Sequence, residues 1–95
     1  MYDRSQVDIF TNAVRTALNI SSVIEVSDHF AGYFDELGIT ITVQSETTDR
    51  EIRALKELIV PVLFQRRQTF QWIVIFQRGG KQVAVLFPDG LFTME

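Results

Sequence analysis

Residues 39–44 read Ile-Thr-Ile-Thr-Val-Gln, a strict alternation of apolar and polar side chains. Successive side chains of an extended chain point to opposite faces. The run therefore predicts a strand with one buried and one polar face. A helix follows it. Thr48 and Glu51 have the spacing of a capping box, and Asp49 and Glu51 complement the positive end of the helix dipole. Ile52, Leu55, Leu58, Ile59, Val62 and Leu63 then recur at helical spacing, with Arg66 and Arg67 near the C-terminal end. Pro61 interrupts the pattern. It has no N–H to donate to Glu57 and its ring crowds that carbonyl, so a kink or local break is expected.

Residues 69–77 form a second strand, with Phe70, Trp72, Val74 and Phe76 on one face and Gln71, Ile73, Ile75 and Gln77 on the other. Apolar residues on both faces in mid-strand predict a central position in the sheet. Gly79-Gly80 reads as a tight hairpin, because both residues adopt positive φ without penalty. Lys81 to Phe87 is the returning strand, Pro88-Asp89-Gly90 a turn, and Leu91 to Met94 a short last strand. Strand, helix and strand over residues 39–77 form a β-α-β unit. If its strands are parallel, the crossover is right-handed and the helix lies on one face of the sheet.

Ahead of this unit, Val7, Phe10, Val14, Ala17 and Leu18 predict an amphipathic helix. Residues 23–37 admit two readings. As a helix, Ser22 and Glu25 make a capping box. Val23, Val26, Phe30, Phe34 and Leu37 then form one stripe, and Gly38 falls where a C-cap glycine belongs. As a strand, the β-branched Val23, Ile24 and Val26 are favourable. The helix reading is preferred. The expectation is an α+β fold with a small mixed sheet of three to four strands, helices packed on one face, and the order α-α-β-α-β-β. The strand reading gives α-β-β-α-β-β-β instead.

Ninety-five residues fit a single domain over residues 1–95, and 46% hydrophobic with 22% charged residues is a globular balance. Absence of Cys excludes a disulfide framework, a thiolate metal site and a cysteine nucleophile, and suits a reducing, cytoplasmic setting. The N-terminus, MYDRSQVD, reads as neither a signal nor a transit peptide. The apolar run over residues 58–64 is too short for a bilayer, so no membrane association is expected. Net charge is −3, with seven acids and two bases in residues 1–47 against five and seven in residues 48–95. This argues against a general polyanion binder and leaves room for a local basic patch.

Catalytic groupings are sparse. His29 is the sole histidine, and with Asp28, Asp35 and Glu36 it reads as a solvated polar face rather than a metal or acid–base centre. No nucleophile elbow occurs, and Gly79-Gly80-Lys81 lacks the spacing of a phosphate loop. No catalytic, cofactor or metal site is expected, and a small enzyme ranks last among the functional readings. Eight Phe and one Trp admit two readings, a core filled by aromatic rings or an excess left for an interface. The preferred function is a non-catalytic protein-interaction or regulatory domain that self-associates as a twofold dimer, with candidate interface residues Phe70, Trp72, Phe76, Phe87, Leu91 and Phe92. The alternative is a nucleic-acid-associated protein using Arg66, Arg67, Arg78 and Lys81 beside exposed Phe70 and Trp72.

Overall fold

The computed structural model describes residues 4–31, 36–65 and 70–95. Helix α1 (Arg4–Ala17) buries Val7, Phe10, Thr11 and Val14. Strands β1 (Val23–Ala31) and β2 (Glu36–Val43) follow as an antiparallel pair. Helix α2 (Asp49–Phe64) then crosses to β3 (Gln71–Arg78), which lies parallel to β2. Strands β4 (Lys81–Leu86) and β5 (Phe92–Met94) complete a mixed sheet of order β1-β2-β3-β4-β5. The architecture is α+β, with two helices and five strands among the described residues.

The order α-α-β-α-β-β and the count of three to four strands are corrected. Residues 23–31 and 36–43 are strands, in the order α-β-β-α-β-β-β. The apparent helical stripe belongs to a period of two. Val26, Asp28 and Phe30 share the covered face, opposite Ile41, Ile39 and Leu37. Asp28 hid that pattern because it is a polar residue at an inward position. It is accommodated by α1, where Thr11 Oγ1 donates to its carboxylate at 3.2 Å and the Arg4 guanidinium pairs with it at 3.3 Å. The Ser22 carbonyl accepts from the Gln44 amide at 2.9 Å, which ties the start of β1 to the end of β2. Gly38 is no helix cap. It sits inside β2, opposite His29.

The core lies between the sheet and the two helices. Leu37, Ile39, Ile41 and Val43 of β2, Trp72, Val74 and Phe76 of β3, and Ala84 and Leu86 of β4 meet α1 and α2 residues in one buried cluster. Ile52, Leu55, Ile59 and Leu63 are the buried stripe of α2. At one end of the layer the aromatic rings interlock. Phe10 meets Phe70 edge to face at 5.5 Å, Phe30 meets Phe70 at 5.9 Å and Phe64 meets Trp72 at 5.3 Å. Such geometries add about 0.5–1.5 kcal/mol per pair beyond area burial.

Local signals read from the sequence recur here. The Thr48–Glu51 capping box is formed, with Thr48 Oγ1 accepting from the Glu51 amide at 3.1 Å. Gly79 and Gly80 turn the β3–β4 hairpin with φ of 61° and 77°. β3 is the central strand. Of the kink or local break expected at Pro61, the break does not occur: α2 continues three residues further to Phe64. Pro61 is exposed, so its ring projects away from the sheet, and the helix is held from its other side by Ile59 and Leu63.

Candidate functional site

Both helices sit on one face of the sheet, and no described element covers the other. Strand pairing lays out that uncovered face in rows. One row runs Ser27, Thr40, Ile75, Val85 and Thr93 across all five strands. The next pairs His29 with Gly38 and Gly38 with Ile73. The pairing of Val74 with Leu86 places Phe87 beside Ile73, and the Phe87 amide donates to the Leu91 carbonyl at 2.9 Å. Ile73, Ile75, Val85 and Phe87 therefore form a contiguous apolar block. Val85 is buried by its neighbours yet stands apart from the main core cluster, as its place on the opposite face requires.

The face has relief. An open depression of about 420 Å³ lies around Gly38, walled by His29, Glu36, Gln71, Ile73, Phe87 and Pro88. Gly38 supplies no side chain there. At the other end of the same row, Leu91 projects from the turn after β4 and is 54% exposed. The turn is built by Gly90 at φ 94°, by its amide donating to the Phe87 carbonyl at 3.0 Å, and by Asp89 Oδ1 accepting from the Leu91 amide at 3.0 Å. Leu91 is thus held out on an ordered turn rather than folded back.

The six candidate interface residues separate into different environments. Phe70, Trp72 and Phe76 are 6%, 7% and 0% exposed and belong to the core. Phe92 is half-buried on the helix side, edge to face with Phe76 and beneath the Lys56 ammonium. Phe87 and Leu91 lie on the uncovered side. The structure adds Ile73, Ile75, Val85 and Gly38 to that surface. Their signal in the sequence was the apolar second face of residues 71–77, which marks a central strand and, on a sheet covered once, also a greasy open face.

The basic residues are not gathered. Arg78 Nη1 donates to the Thr47 carbonyl at 2.7 Å and Nη2 pairs with Asp49 at 3.0 Å, fastening the end of β3 to the start of α2. Lys81 is exposed at the hairpin. Arg66 and Arg67 lie outside the described residues, as does Asp35. His29 and Glu36 are exposed, and Asp28 is engaged by α1. Among the described residues no three His, Cys, Asp or Glu side chains come together as a metal site. No helix among them is long and apolar enough to cross a membrane. Comparison with family models, curated proteins and solved structures finds no match.

Proposed function

We propose that this is a non-catalytic protein-interaction or regulatory domain whose working surface is the uncovered sheet face. The supporting observation is the contiguous block of Ile73, Ile75, Val85 and Phe87 on the side that neither helix covers. A sheet packed on one side ordinarily alternates apolar and polar residues, with the polar set toward water. Here β3 and β4 carry apolar residues on both faces. Covering apolar area is worth about 25 cal/mol per Å², so this block favours a partner over water.

The nucleic-acid alternative has less support. It calls for Trp72 or Phe70 exposed beside arginines, and both rings are buried while Arg78 is occupied by Thr47 and Asp49. Ile75→Glu puts a charge in the middle of the apolar block without touching the helix-side core. It is expected to keep the fold and to lose protein partners at least ~10-fold, since an uncompensated charge in a closed interface costs more than the ~1.4 kcal/mol that a tenfold loss represents. The test is affinity capture from nuclease-treated host lysate with the wild-type chain and this variant. Equal recovery on both would defeat the surface assignment. Capture that disappears on nuclease treatment would put the nucleic-acid reading first.

A further inference from the structure

We infer, building on that surface assignment, that the occupant of the face is a second copy of this chain, packed about a twofold axis parallel to the strands and lying over the β3–β4 boundary, with Leu91 of each copy seated in the depression at Gly38 of the other. The axis exchanges β3 with β4 and β2 with β5. Row by row it sets Ile75 against Val85 of the other copy, Ile73 against Phe87, and Thr40 against Thr93. In the row through Gly38 it sets the position without a side chain opposite the projecting Leu91. Apolar meets apolar, hydroxyl meets hydroxyl and protrusion meets recess, as an isologous contact requires.

Charge is compatible with the same arrangement at its centre. Glu25 and His29 lie on the uncovered face of β1, opposite Thr42 and Gly38. An in-plane axis perpendicular to the strands would stack β1 on β1 and bring the two Glu25 carboxylates to the same strand pair. The axis over the β3–β4 boundary keeps Glu25 outside the overlap; of β1 only His29, at the wall of the depression, meets the other copy, and the acidic Glu36 and Asp89 lie at the rim, outside the central rows of Ile73 and Ile75. A chain of net charge −3 meets its own copy there without like-charge contact at the centre.

The overlap is modest. With ~3.3 Å per residue and ~4.8 Å between strands, β2 to β5 present about 400 Å² of projected face per copy. That is below the ~1,000 Å² in total that a stable interface clears, so the dimer is weak and reversible.

Sedimentation velocity of the full chain from ~5 to ~500 µM covers the concentrations at which a weak dimer forms. Two single variants report on the recess and the protrusion. In Gly38→Val the new Cβ meets nothing nearer than the His29 carbonyl oxygen at 3.7 Å, an ordinary contact, and a β-branched residue suits a strand. Leu91→Ala removes an exposed side chain at a turn, so it carries the test if Gly38→Val disturbs the fold. Each is expected to weaken the dimer about 10-fold with the thermal transition unchanged. Mixing the two variants restores one intact Leu91–Gly38 contact, so the mixed dimer is expected to be tighter than either variant alone. A wild-type chain that stays monomeric throughout, or a dimer that neither variant weakens, overturns the inference. A monomeric chain whose captured partner is still lost in Ile75→Glu overturns only the second copy as occupant. A monomer with capture unaffected by Ile75→Glu removes the surface assignment as well.

Discussion

Phe76→Ala is expected to lower the free energy of unfolding by ~3–5 kcal/mol. Among the described residues Phe76 is the largest side chain with no exposure to solvent, on the central strand, between Ile41 of β2 and Ala84 of β4. Phe92 stands edge to face against it at 6.0 Å. Truncation removes the ring, leaves a cavity between sheet and helices, and strips Phe92 of the contact that orients it. Domains of this size hold only about 5–15 kcal/mol in total, so a large part of the reserve is lost. Urea denaturation followed by fluorescence of Trp72, the sole tryptophan, reads the change directly. A loss below ~1 kcal/mol is what a surface residue gives, and it would contradict the placement of Phe76 in the core.

Pro61→Ala is expected to stabilise the protein by ~1–2 kcal/mol. A proline in a helix interior is ~3 kcal/mol worse than alanine, because it lacks the N–H and crowds the preceding turn. Part of that gain is offset, since proline also restricts the unfolded chain by up to ~1 kcal/mol. Pro61 is exposed and inside a helix that continues past it, so alanine removes no core packing. Thermal unfolding by circular dichroism gives the sign, and slower amide exchange over residues 57–64 localises it. A lower melting temperature would mean that the proline shapes the end of α2 in a way the sheet depends on.

Local chemistry made much of the fold legible. The capping box at Thr48, the positive-φ glycines at 79 and 80, and the alternation from Ile39 onward each act within a few residues, and each recurs in the structure. Residues 23–31 were misread because their decisive interactions are distant. Asp28 breaks the apolar alternation of β1, and only the arrival of Arg4 and Thr11 from α1 makes an inward carboxylate acceptable there. Arg15 Nε donates to the Val26 carbonyl at 3.0 Å, which further binds α1 to this edge strand and blunts it against stray pairing. At Pro61 the helix continues without a break, for the opposite reason. Burial of Ile59 and Leu63 on the sheet side outweighs the local penalty on the solvent side.

The proposed surface was less legible than the fold. Aromatic content drew attention to Phe70, Trp72 and Phe76, yet large rings close to a helix-covered face are what the core takes up first. The smaller Ile73, Ile75 and Val85 drew none, although they are the residues left facing outward. Which of the two apolar faces of β3 is covered depends on where α1 and α2 lie. That is a property of the assembled chain rather than of residues 71–77.

The claim that the uncovered sheet face is the site of association is tested most directly by amide chemical shifts recorded on serial dilution of the wild-type protein. Association through that face gives concentration-dependent shifts grouped at Gly38, Thr40, Ile73, Ile75, Val85 and Leu91, with the helix-side residues Ile9 and Leu58 unmoved. Shifts confined to the exposed faces of α1 and α2 would contradict it, as would a spectrum that does not change with concentration.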